Sequence, residues 1–144
     1  MADVEELRAE ATADAYDALR ALRPQLGTSA EFVGRVNGVL RPEGYRLVVS
    51  REDGRVAAVA GFRVGHDTAV GTYLYVDDLS TDPEFRGRGH AGRVVDWLIA
   101  EAARLGCHAI ELDSGLRPER DDAYRLYLNK RFAIRAMHFS RPLR

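Results

Sequence analysis

Residues 83–92 read Pro-Glu-Phe-Arg-Gly-Arg-Gly-His-Ala-Gly, and an apolar helical pattern follows at once. Ala91, Val94, Val95, Leu98, Ala102 and Leu105 recur at spacings of three and four, which predicts a helix from Gly89 to Leu105. Gly106 is a good stop for it. A helix start offers backbone N–H groups with no partner inside the helix, together with the positive end of the helix dipole. Glycine lacks a Cβ, so an anionic group can come close to the backbone there. Arg86 and Arg88 place positive charge in the same turn. The stretch therefore predicts a phosphate cradle between a strand and a helix.

The elements on either side extend that reading. Thr72 to Thr81 predicts a strand running into the turn, and Cys107 to Leu112 a short apolar strand after the helix. A strand–helix–strand crossover implies that these two strands pair in parallel. Upstream, Tyr45 to Arg51 alternates, with Tyr45, Leu47 and Val49 on one face. Gly54 to Val64 alternates too, with Val56, Ala58, Ala60, Phe62 and Val64 aligned. Asp53-Gly54 between them reads as a hairpin turn, and His66 to Gly71 forms another turn region.

At the N-terminal side, Val4, Leu7, Ala11, Ala15, Leu19 and Leu22 predict an amphipathic helix over residues 4–22, closed by Pro24 and Gly27. Thr28 with Glu31 resembles a capping box. The helix it opens carries Phe32, Val33, Val36, Val39 and Leu40 on one side. After the short strand, Pro118 suits a first helical turn, and Ala123, Leu126 and Tyr127 form the inward stripe of the helix that follows. Phe132 to Arg141 reads as a last strand. This order predicts an α/β (α+β) fold, a mixed central sheet with helices on both faces.

Composition narrows the functional classes. The 144 residues are 46% hydrophobic and 30% charged with a net charge of −1, the balance of a globular chain and enough for one domain with a real core. No basic surplus or basic run marks a nucleic-acid binder, so no nucleic-acid partner is expected. The first residues show no basic segment followed by an apolar one. Neither a signal peptide nor a membrane anchor is expected, and cytoplasm is the default location. Cys107 is the single cysteine, so no internal disulfide forms; a small core residue is the expected role rather than a nucleophile. The turn lacks the Gly-Lys-Ser/Thr ending of a P-loop. It also lacks the Gly-x-Gly-x-x-Gly spacing, with an acid further on, of a dinucleotide site.

Strand 72–81 contains Tyr73-Leu74-Tyr75-Val76-Asp77-Asp78-Leu79, and Ala123-Tyr124-Arg125-Leu126-Tyr127 comes some way beyond the arginine turn. Taken with Arg86, Gly89 and Ala91, which satisfy an Arg-x-x-Gly-x-(Gly/Ala) signature, this combination resembles the GNAT superfamily of acyl-CoA-dependent N-acetyltransferases over roughly residues 44–140. Three features depart from the family pattern. Arg120 stands where asparagine is frequent, Arg131 precedes Phe132 where a Gly-Phe pair is usual, and no first strand is visible near the N-terminus.

The resemblance implies acetyl-CoA as acyl donor and a primary amine on a small molecule or a peptide as acceptor. The cofactor's diphosphate would lie on the turn formed by Arg86, Gly87, Arg88, Gly89, His90, Ala91 and Gly92. The pantetheine arm would meet backbone groups of Leu79 and Thr81, in a strand that a bulge splays from its neighbour. An alkyl amine with a pKa of about 10.4 must lose a proton before it attacks. The oxyanion formed needs donors, and the departing thiolate needs a proton. Tyr127 fits the last role, because a phenol stays neutral near pH 7 and can donate. Asp77 is the candidate base, with a substrate-binding carboxylate as its other reading. By period two it shares a face with Tyr75 and Leu79, while Asp78 points the other way unless a bulge intervenes. Tyr75 and Asp78 are candidate substrate-binding residues. Two acids in an apolar strand point to a cationic acceptor.

His90 lies in the turn, with its side chain expected to face solvent. His66 falls in a turn, and His108 and His138 fall in strands. No pair has metal-ligand spacing, which predicts no metal. A non-catalytic acyl-CoA-binding sensor is the alternative to an enzyme. The resemblance also leaves open a homodimer through an edge strand.

Overall fold

The strands are β1 (Asp3–Leu7), β2 (Arg46–Glu52), β3 (Arg55–His66), β4 (Thr72–Thr81) and β5 (Ala109–Leu112); β2 and β3 carry consecutive buried residues, as strands covered on both faces do. In the computed structural model, which describes residues 3–144, these strands form a sheet in the order β1-β2-β3-β4-β5. The first three pairings are antiparallel, and β4–β5 is parallel, as the crossover requires. The β2–β3 hairpin closes at Asp53 (φ 52°) and Gly54 (φ 77°). Two consecutive left-handed residues are what a two-residue hairpin turn demands.

The helices are α1 (Tyr16–Arg20), α2 (Ser29–Arg35), α3 (His90–Arg104) and α4 (Asp121–Asn129). The chain divides into two compact units, one ending at Leu112 and the other Asp113–Arg144. The sheet belongs to the first. Its two faces carry separate cores. On one, Leu47, Val49 and Val59 pack with Ala18 and Leu19 near α1 and with Phe32 of α2. On the other, Val48, Ala60, Phe62, Leu74 and Val76 pack with Val94, Leu98 and Ala102 of α3. The first unit is therefore a mixed sheet with helices on both faces. Thr28 caps α2, its Oγ1 accepting from Glu31 N at 3.1 Å while Glu31 Oε1 accepts from Thr28 N at 3.3 Å.

Several sequence expectations fail in the fold. Residues 4–22 are not one helix. They form β1, a 3₁₀ turn over Ala9–Ala15 and then α1. Val4 and Leu7 are three apart, so a strand sends them to opposite faces, and each joins a different core. Glu5 and Glu6 complete the strand by pairing with Arg51 at 2.6 Å and Arg46 at 2.7 Å across the ladder. The family's first strand is thus present. The expected last strand over Phe132–Arg141 does not form; residues 133–144 have no regular structure, and Ile134, Met137, Phe139 and Leu143 are exposed. A strand needs a ladder partner, and these residues have none among the described pairings. Accordingly His138 lies outside any strand, as does His108, which precedes β5.

Candidate active site

The 83–92 turn begins with a 3₁₀ turn, Pro83–Phe85, capped by Asp82, whose Oδ1 accepts from Glu84 N at 3.0 Å. Phe85 is buried and anchors the turn, while Arg86, Gly87, Arg88 and Gly89 are exposed. Gly87 (φ 77°) and Gly89 (φ 81°) are both left-handed, and Gly89 is the N-cap of α3. No atom lies within 4 Å of where a Gly87 Cβ would stand. The amides of His90, Ala91 and Gly92 open the helix with no intrahelical carbonyl to bind. Open space over glycine, free amides and the dipole's positive end together suit a diphosphate. Arg86 is exposed beside them.

Arg88 and His90 are less free than the sequence suggests. Arg88 forms an ion pair with Glu52 and stacks over Phe85, 5.5 Å from the ring centroid. His90 does not face solvent; it is 1% exposed. Its Nδ1 lies 2.7 Å from Ser50 Oγ and 3.2 Å from Arg93 Nη2, and its Nε2 lies 2.8 Å from Glu52 Oε1. The reason is register. Ser50 and Glu52 are two apart at the end of β2, so both project toward the start of α3. Serine, histidine and carboxylate in a row resemble a hydrolytic triad, but Ser50 is fully buried, so the array is structural. Ser50, Glu52 and Arg93 were all missed by sequence reasoning. The Ser-x-Glu pair at strand spacing was the available signal.

The acids sit at the bulge. Gly61 pairs with Asp78 and Phe62 with Val76, leaving Asp77 unopposed on β4. The extra residue reverses the alternation expected beyond Asp77. Asp78 therefore shares a face with Asp77 and Tyr75, and Leu79 turns to the opposite face, where it packs on the α3-side core. Arg63 holds the Asp77 carboxylate through two bonds of 2.9 and 2.7 Å. Asp78 accepts from Arg23 Nε at 2.9 Å and from Tyr45 Oη at 2.7 Å. Both acids thus have partners within the fold, Asp77 through both of its carboxylate oxygens. Next to it lies a cleft of about 410 Å³ lined by Glu43, Arg63, Tyr73, Tyr75 and Asp77. Carboxylates and aromatic faces together suit a cation. A larger cleft of about 580 Å³ beside Leu7 and Arg41 is less suited, because Arg41 is already bound to Leu7 O, Thr12 and Asn37.

The last β4–β5 partners are Val76 and Leu112. From Asp77 to Thr81, β5 gives β4 no partner, so the backbone around Leu79 and Thr81 presents an edge to which an extended amide chain could pair. In the second unit, Tyr127 lies on α4 beside Phe132, with ring centroids 5.9 Å apart. Burial pushes its phenol above the ordinary value, partly offset by Arg120, so it stays protonated at neutral pH. Among the described residues no cluster of His, Cys, Asp and Glu could hold a metal, and no helix is long and apolar enough to cross a membrane.

A bulged strand outruns its parallel neighbour and leads into a glycine turn at a helix start, a geometry that an extended, phosphorylated ligand would fit. Residues 4–132 match the acetyltransferase (GNAT) family, and the chain belongs to it as an acyltransferase. No curated protein sequence matches the chain. Its fold is similar to that of the aminoglycoside N-acetyltransferase AAC(6')-Iy in complex with CoA (TM-score 0.83, 16% identity, covering 99% of this chain and 95% of that one). It is also similar to glucosamine-6-phosphate N-acetyltransferase from Arabidopsis thaliana (0.77, 18%, covering 100% and 99%). A third similar fold is the ribosomal-protein-alanine N-acetyltransferase from Brucella melitensis biovar Abortus 2308 (0.77, 21%, covering 99% and 98%).

Proposed function

We propose that the protein, acting as one domain over residues 1–144 in the cytoplasm, moves an acetyl group from acetyl-CoA to the primary amine of a cationic small molecule or peptide. The amine attacks directly within a ternary complex. The observation that carries this reading is the bulge at Asp77. It gathers the acids on one face of β4, beside the cleft, while β4, still paired with β3, runs past the end of β5 toward the phosphate turn. Acetyl-CoA supplies an activated acyl group as a thioester. Amides at residues 88–92 bind the diphosphate, with Arg86 as the exposed cation beside them. Backbone groups of Leu79 and Thr81 hold the pantetheine arm as an added strand. Asp77, released from Arg63 as the acceptor's ammonium enters, takes the amine's proton directly or through water. Tyr127 donates its proton to the departing sulfur, a step worth about 10²–10⁴-fold. The CoA complexes and amine acceptors among similar folds support this reading. A homodimer is part of the proposal, β1 and β5 being the ends of the described sheet.

The test is incubation with acetyl-CoA and a panel of amines: diamines, amino acids, aminoglycosides and peptides with free N-termini. Thiol release and acetylated amine are measured together. One thiol per acetylated amine is expected, with the best turnover on cationic acceptors. Tight CoA binding with no thiol release across the panel would replace the enzyme with a binding module. Arg86→Ala combined with Gly89→Ala should weaken acetyl-CoA binding.

A further inference from the structure

We infer that Glu52 is a positioning residue for the phosphate turn: one carboxylate from the end of β2 pins Arg88 and His90, the residues on either side of the left-handed Gly89. This rests on the reading of that turn as the CoA diphosphate site. Glu52 Oε2 pairs with Arg88, and Oε1 lies 2.8 Å from His90 Nε2. The direction of each bond follows from chemistry. A guanidinium can only donate, so Arg93 Nη2, 3.2 Å from His90 Nδ1, makes Nδ1 an acceptor. Ser50 then donates to the same nitrogen from 2.7 Å. That leaves the ring proton on Nε2, donated to Glu52, a tautomer assigned from the network. Arg93 Nη2 also donates to the Arg88 carbonyl at 3.0 Å. The buried imidazole is thus satisfied at both nitrogens, and the backbone before Gly89 is tied to the helix after it.

Glycine at this N-cap brings no side chain to cap the helix, and its backbone freedom must be restrained from outside. Glu52 supplies that restraint. Removing it orphans a buried N–H and frees Arg88, so the amides lose the arrangement that binds an anion without reorganising. A carboxylate near a diphosphate site also repels the ligand. The two effects predict opposite signs, which makes the question decidable.

The experiment measures the CoA Kd by calorimetry, and KM for acetyl-CoA and kcat with the best amine. The proteins are wild type, Glu52→Ala, Glu52→Asp, Glu52→Gln and the distant charge control Glu10→Gln. Glu52→Ala should raise Kd and KM about tenfold, with kcat at saturation within about twofold. Glu52→Asp keeps the charge but withdraws the carboxylate from both partners, so it should weaken binding too, and it serves if Glu52→Ala fails to fold. Glu52→Gln keeps an oxygen for His90 Nε2–H but turns an NH2 on the donor-only Arg88, so it should recover part of the loss and bind CoA between Glu52→Ala and wild type. Glu10→Gln should match wild type. Unchanged or tighter CoA binding in Glu52→Ala or Glu52→Asp overturns the inference, as does a loss in Glu52→Gln equal to that in Glu52→Ala. Failure of the wild type to bind CoA would instead remove the diphosphate reading itself.

Discussion

Asp78 takes the Tyr45 hydroxyl at 2.7 Å and Arg23 Nε at 2.9 Å, so three separate segments meet at one side chain. Burial, and then the charge of Asp78, hold the Tyr45 phenol far above its ordinary value, so it acts only as a donor. Gly61 makes room for it. A Cβ built there would stand 1.8 Å from Tyr45 Oη. Gly61→Ala should therefore cost about 1–3 kcal/mol of stability, measured by urea unfolding, because the ring has to move and the bulge loses its donor. Tyr127→Phe should fold as the wild type does and lower kcat by about 10²-fold or more with KM for acetyl-CoA little changed; unchanged turnover would remove it from the acid role. At this scale the sequence was only half legible. Period two put Asp77 and Asp78 on opposite faces, and the unopposed residue at the bulge put them on the same one. Of the partners that neutralise them, Arg23 comes from a segment 55 residues away and Arg63 from the neighbouring strand β3, met only in the bulged register.

The best-read element was α3, because periodicity, glycine turn and stop residue all agreed. Its docking adds a pH-sensitive link. Glu101 is nearly buried and accepts from Arg104 at 2.6 and 2.7 Å and from Arg46 of β2 at 2.6 Å. Arg104, then Arg46, hold its carboxyl down at about 2. A carboxyl with a depressed folded value stabilises the fold above its unfolded value. That contribution is lost as pH falls through the folded one. Wild type should thus lose on the order of 2 kcal/mol more than Glu101→Gln between about pH 5 and pH 2 in urea titrations. Gly89→Ala tests the other end of the helix. The left-handed φ of 81° and an Arg93 Nη1 3.2 Å from the new Cβ should cost about 1–2 kcal/mol and raise KM for acetyl-CoA. β1 was the misread element. An edge strand with Val4 and Leu7 in different cores mimics helical spacing, since the two apolar positions are three apart.

Over the whole molecule, the first unit buries both faces of its sheet, whereas residues 133–144 leave Ile134 (89% exposed), Phe139 (84%) and Leu143 (88%) in solvent. Apolar residues this exposed within one short segment favour association. Sedimentation velocity should show concentration-dependent self-association that Ile134→Lys with Phe139→Lys reduces, while unfolding of the sheet unit is unchanged. The apolar content of this stretch was legible in sequence. Whether it becomes a strand was not, since a strand is defined by a partner lying elsewhere.

Periodicity, the Asp53-Gly54 turn, the capping box and the glycine turn determined four of the five strands, the crossover, its parallel pairing and the glycine-opened start of α3. Each is a local preference of backbone and side chain, written over a few neighbouring residues. Only the folded chain decided that Asp77 is bulged, that His90 is buried against Ser50 and Glu52, and that the acids are paired with Arg23 and Arg63. Those outcomes depend on strand register and on long side chains meeting across dozens of residues, and both are set by packing rather than by propensity.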